Sequence, residues 1–258
     1  MDYTKNIFAG KPADFDVIDV HVHHGANRGY WPGPYTGDAI VHTMDRLGLD
    51  LCCCTPSALG SDREFCNEQL AKDLDSYPEK LRGYVMTTPH YEEDLDRWFK
   101  RSRGFIGLKV IPFVQGEAPI DDPGLWGYYA YADRHNLPIL VHTWVASEVN
   151  ATTRMAEQYP NARFIVAHSA LTNLPAKLAL MDGMKRCENM ACDTAISDTY
   201  DGALEWFVDK VGTDRVLYGS DFITFECSHI LGRVAMSRLT DDDKEKIFSR
   251  NAKQWLKL

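Results

Sequence analysis

The chain has 258 residues, 45% of them hydrophobic and 25% charged, and its 28 Lys and Arg against 37 Asp and Glu give a net charge of −9 at pH 7. A chain of this size buries a sufficient core without disulfides, and its composition excludes collagen-like, disordered and disulfide-scaffold classes. The acidic balance, with no basic stripe, argues against a nucleic acid or an anionic membrane surface as partner, and no apolar run approaches the roughly 18 residues of a bilayer span.

The opening MDYTKNIFAGKPADFD lacks a basic stretch followed by an apolar one, so a cytoplasmic protein is expected. Strand candidates follow at Phe15–Val22, Asp50–Thr55, Leu81–Thr87, Gly104–Ile111, Leu137–Thr143, Arg163–His168, Glu188–Thr194 and Arg215–Ser220. Near-continuous apolar runs such as LPILV and RFIVA suit parallel strands covered on both faces. Within the second strand, Cys52-Cys53-Cys54 alternate between faces, which fits neither a disulfide framework nor a metal motif and reads as reduced, small hydrophobes.

Helical stretches alternate with the strands. Asp62 caps one that begins at Arg63, and others run over Tyr91–Arg103, Asp122–His135 and Leu171–Arg186. Gly48 and Asn136 stand where left-handed helix ends belong, and a last helix from Thr240 through Trp255 is expected to pack back across the molecule. Eight β-then-α units without a linker or a G-x-G-x-x-G imply one domain over residues 1–258: an α/β fold, a (β/α)8 TIM barrel with a C-terminal helical extension.

In such a barrel the chemistry gathers at the carboxyl ends of the strands. The first strand ends Asp19-Val20-His21-Val22-His23-His24-Gly25, and a spacing of two puts His21 and His23 on one strand face, where two imidazoles suit one divalent ion. His142, His168 and Asp221 end the fifth, sixth and eighth strands. One such histidine alone is usually structural; four histidines and a carboxylate at strand ends point to a site. His24, His42, His90, His135 and His229 lack the pattern and are expected at the surface or in support of the site.

The D-x-H-x-H start, G-L-K at 107–109, P-I-L-V-H at 138–142, A-H at 167–168 and G-S-D-F at 219–222 resemble, in this order, the amidohydrolase superfamily. They are most similar to its amidohydrolase-related branch, which includes aminocarboxymuconate semialdehyde decarboxylase and resorcylate-type decarboxylases. The resemblance spans Phe15 to about Asp221 and departs at Ser169-Ala170-Leu171 and after Asp221, where Phe222-Ile223-Thr224 follows. It implies a divalent metal, zinc by expectation and one ion before two, held by His21, His23, His142 and Asp221. It also implies His168 as an acid, base or substrate contact, or as a ligand if two ions bind.

Lys109 admits three readings: a substrate contact, a structural lysine, or a bridge between two metals. Arg28, Tyr30 and Trp31 in RGYWPGPYTG, and Trp144 after His142, are substrate-binding candidates, with Asp198 and Tyr200 weaker. A divalent ion lowers the pKa of bound water from about 15.7 to about 7, so the leading expectation is hydrolysis of a small cyclic ester or amide. Asp221 then moves the proton and His168 steadies the oxyanion. The first alternative is non-oxidative decarboxylation of a carboxylated ring; the second is a non-catalytic, metal-stabilised scaffold. The expected partner is a small-molecule substrate, with a homodimer left open.

Overall fold

Alternating apolar runs and capped helices give the chain the expected architecture. The computed structural model describes residues 1–25, 36–57, 62–91, 94–112, 118–170, 173–196 and 200–258. Its strands are β1 (Ile18–His24), β2 (Leu51–Pro56), β3 (Leu81–Met86), β4 (Phe105–Val110), β5 (Pro138–Val141), β6 (Arg163–Val166), β7 (Met190–Asp193) and β8 (Val216–Leu217). Each pairs in parallel with the next, in chain order. The segment after β8 returns to β1: Val20 N–H donates to the Tyr218 carbonyl and Asp221 N–H to the His21 carbonyl, both at 2.9 Å, and Val22 bridges Phe222. The fold is a (β/α)8 barrel.

The helices are α1 (Tyr3–Phe8), α2 (Gly37–Leu47), α3 (Arg63–Ser76), α4 (Leu95–Arg101), α5 (Trp126–His135), α6 (Ala146–Gln158), α7 (Leu174–Arg186), α8 (Ala203–Val211), α9 (Cys227–Ala235), α10 (Asp241–Glu245) and α11 (Asn251–Leu256). Their ends follow local chemistry. The Asp62 carboxylate accepts the Glu64 and Phe65 N–H groups at the start of α3, and Gly48 and Asn136 close α2 and α5 with left-handed φ of 71° and 55°. None of the helices among the described residues is long and apolar enough to cross a membrane.

Two apolar layers result. Residues such as Cys52, Cys54, Leu108 and Val141 pack outward against the helices, whereas Ile18, Val20, Cys53, Tyr84, Leu140, Ile165 and Leu217 fill the barrel lumen. The three adjacent cysteines thus split between the layers as their alternation requires, and all seven cysteines are free thiols. The last segment, expected as one helix from Thr240, is α10, a π-helical turn over Lys246–Arg250, and α11. It closes the lumen: Ala252, Trp255 and Leu256 join the inner cluster, and Arg163, at the start of β6, donates to the Gln254 and Trp255 carbonyls. The amino-terminal end of the barrel is thereby plugged.

Because that plug is apolar and buried, Trp255→Ala should destabilise the protein by about 3–5 kcal/mol, the usual cost of emptying a large aromatic site. Urea unfolding followed by circular dichroism measures this, and a loss under about 1 kcal/mol would mean that α11 does not close the lumen.

Candidate metal centre

In a regular strand side chains alternate, so Ile18 and Val20 inside the lumen would send His21 and His23 outward to the helices. The chain avoids this with one extra residue. Asp19 lies opposite Cys52 but Val22 lies opposite Cys54, a β-bulge that resets the phase of β1. Val22 then packs in the outer layer, and His21 and His23 face the lumen. The Asp19 carboxylate supports the bulge, accepting the His21 N–H at 3.1 Å and the Ser220 N–H at 3.0 Å, so it ties β1 to the segment after β8. Burial pushes the Asp19 carboxyl up to about 7.

Strand β4 uses the same device. Gly83 faces Phe105 but Tyr84 faces Gly107, and the extra residue turns Lys109 inward while Leu108 packs outward. The two bulges turn one lysine and two histidines into the lumen.

The imidazoles of His21 and His23 are each held by the far nitrogen. His21 Nδ1 lies 2.9 Å from Asp193 Oδ2, and His23 Nδ1 lies 3.0 Å from Ser57 Oγ. A carboxylate only accepts, so His21 carries its proton on Nδ1 and presents a lone pair at Nε2. Both Nε2 atoms turn toward Asp221 Oδ1, at 3.5 Å from His21 and 2.7 Å from His23. Lys109, fully buried, sets its Nζ 3.0 Å from His21 Nε2.

His168 and Asp221 follow β6 and β8 with φ of 65° and 60°, a region that costs a non-glycine residue of order 1–3 kcal/mol. Hydrogen bonds hold both: His168 N–H donates to Asp193 Oδ1 at 2.8 Å, and Asp221 N–H to the His21 carbonyl. The left-handed turns aim the two side chains at each other, His168 Nδ1 standing 4.0 Å from Asp221 Oδ2. His142 joins through its Nδ1, 3.1 Å from His168 Nε2. Gly219 permits the close packing, since a Cβ there would meet the Cβ atoms of His21 and Asp193 at 3.0 Å.

Charge balance follows from burial. Desolvation, then the nearby ammonium of Lys109, holds His21 below its ordinary value, and burial pushes His168 down to about 4 and lowers His142 further. Burial pulls Lys109 down to about 8 against Asp221 and Asp193. It opposes ionisation of those two carboxylates as well, but the histidines outweigh it and both sit below the usual range.

Among the described residues, two groups of three have donor atoms all within 4.8 Å of one another: His21, His23 and Asp221, and His21, His168 and Asp193. His142 lies beside these groups. Trp144 is 43% exposed, its ring 4.8 Å from that of His142 in an edge contact, where it can wall a ligand. Arg28, Tyr30, Trp31 and Asp198 lie outside the described residues, and Tyr200 is exposed. His24, expected in a supporting role, is buried with Nε2 2.6 Å from Asp73 Oδ2, which also accepts the Gly37 N–H. Sequence reasoning passed over Asp193 and Ser57. An acid ending the seventh strand was a usable signal for the first; nothing in the sequence marks the second.

Residues 18–258 match a family model described as amidohydrolase. No curated protein matches the chain. Among solved structures, the dihydroxybenzoic acid decarboxylase of Polaromonas sp. JS666, with bound manganese and 2-nitroresorcinol, aligns at TM-score 0.76 and 18% identity over 94% of this chain and 97% of that one. The 5-carboxyvanillate decarboxylase of Novosphingobium aromaticivorans, also with manganese, aligns at 0.73 and 16% over 95% and 98%. A probable 2-pyrone-4,6-dicarboxylic acid hydrolase of Acinetobacter baumannii aligns at 0.73 and 12% over 95% and 100%. At these identities the likeness is one of fold.

If Asp193 fixes the His21 tautomer, Asp193→Asn puts an amide donor against Nδ1–H and drives the proton to Nε2. Divalent-ion affinity, measured by competition with a chromophoric chelator, should fall about 10–100-fold. Unchanged affinity would remove Asp193 from the site's machinery.

Proposed function

The chain belongs to the amidohydrolase family, and we propose that it is a metal-dependent enzyme that removes the carboxyl group of a hydroxylated aromatic acid without oxidation. The observation that carries this reading is the junction of a cation-binding group with a proton-handling pair. His21, His23 and Asp221 converge, and His168 Nδ1 faces Asp221 Oδ2.

The donors suit a divalent ion. Imidazole nitrogens and a carboxylate meet in a buried layer, the far nitrogens of His21 and His23 are already engaged, and the buried His168 Nδ1 has no hydrogen-bond partner. His21, His23 and Asp221 would hold the ion, with His142 the fourth candidate. A divalent metal bound there, manganese or zinc, supplies a Lewis acid that anchors substrate oxygens and steadies developing negative charge.

The chain's own residues manage the proton. In decarboxylation the bond from ring carbon to carboxylate breaks, its electron pair stays on the ring, the ring carbon gains a proton and CO2 leaves. That proton comes from solvent, and Asp221 Oδ2 and His168 Nδ1, which stand free to accept it at pH 7, relay it to the ring carbon. With a pKa near 4, His168 is a neutral imidazole at pH 7 and adds no charge beside the substrate. The exposed Trp144 offers an apolar edge to an aromatic ring. The two decarboxylases of the same fold support this reading over hydrolysis, which the sequence placed first.

Hydrolysis of a small cyclic ester or amide is the second reading, favoured by the likeness to the 2-pyrone-4,6-dicarboxylic acid hydrolase, with Asp221 as the base that takes a proton from water. The setting in either case is cytoplasmic, where the cysteines stay reduced.

The test is a panel of hydroxybenzoates and lactones given to metal-loaded enzyme, with CO2 and titratable acid followed separately. CO2 from a hydroxybenzoate, lost with chelator and restored by Mn2+, is expected; acid without CO2 selects hydrolysis, and no turnover together with thermal stability unchanged by chelation favours a scaffold. His168→Asn should keep the metal and lower kcat by about 10²–10⁴-fold, the usual share of a proton-transfer group.

A further inference from the structure

His21 Nε2 has one lone pair and two claimants. His21 donates its Nδ1–H to Asp193, so Nε2 is an acceptor, and the Lys109 ammonium donates to it across 3.0 Å. A divalent ion held by His21 needs that same lone pair. We propose that Lys109 is the site's built-in cation: it occupies His21 Nε2 and offsets one of the two enclosed carboxylate charges until a metal ion displaces it.

Packing and charge support this. Lys109 is fully buried and is aimed inward by the β4 bulge, so its ammonium faces the histidines and carboxylates and not the solvent. Asp193 and Asp221 are buried with it, and two ionised carboxylates in one enclosed layer need a cation near them. Lys109 supplies that charge from within the chain. A bound ion brings its own positive charge, so the ammonium then becomes a like-charge neighbour that must leave Nε2. Metal affinity is accordingly set below what the ligands alone would give, and the metal-free fold is stabilised in exchange.

The inference rests on the metal site proposed above, and one experiment separates the two. Metal-free wild type, Lys109→Met and Lys109→Gln are titrated with Mn2+ and with Zn2+ at fixed pH by calorimetry, and their melting temperatures are recorded without metal. Both variants should bind the ion tighter than wild type by about tenfold or more, the equivalent of one charged hydrogen bond released, and should melt lower when metal-free. Equal affinity means that Lys109 does not compete for His21; weaker affinity means that it helps to hold the ion; either overturns the proposal. Should neither variant fold, wild type labelled with 15N at lysine Nζ decides: one equivalent of Zn2+ must move one lysine signal, and an unmoved spectrum overturns it. Wild type that binds neither ion defeats the metal site itself, whereas binding wild type with unaltered variants defeats this inference alone.

Discussion

An extra residue in β1 decides which way two histidines face, and the rest of the site depends on it. Without the bulge, the phase that buries Ile18 and Val20 in the lumen would carry His21 and His23 to the helix side. With it, the imidazoles enter a layer completed from β4, β6 and the segment after β8. The strain of a bulge and of two left-handed residues is therefore located where the chemistry is, and it is offset by bonds that only this arrangement makes, such as those of Asp19 to His21 and Ser220.

The second level of control is protonic. Asp193 works twice, fixing the His21 tautomer with one oxygen and holding the His168 backbone with the other. One carboxylate thus couples the residue that would bind an ion to the residue that would move a proton. Lys109, buried beside His21, brings one positive charge to the same group. Packing and partner bonds to Asp193 and Ser57 fix the orientation of the His21 and His23 imidazoles.

Much of this was legible in the sequence. Apolar β-branched runs, the Asp62 cap and the left-handed Gly48 and Asn136 mark the βα repeat because they act locally, and all eight strands lie where those signals place them. His21, His23, His168 and Asp221 were legible because ligand-type residues stood at strand ends. The bulges were not, since a register shift depends on the neighbouring strand, and a strict alternation read from Ile18 would have turned His21 outward. Asp193 and Ser57 escaped because their roles exist only through partners distant in the chain. Reaction type is the least legible of all: the same metal, imidazole and carboxylate serve hydrolysis and decarboxylation, and the fold is shared by both.

The central claim is that His21, His23 and Asp221 surround a single cation at the mouth of the barrel. Crystals grown with Mn2+ and measured at a wavelength where manganese scatters anomalously test it most directly. The account predicts a peak about 2.0–2.3 Å from both Nε2 atoms and from an Asp221 oxygen. A peak on other residues, or none at the carboxyl ends of the strands, would contradict it.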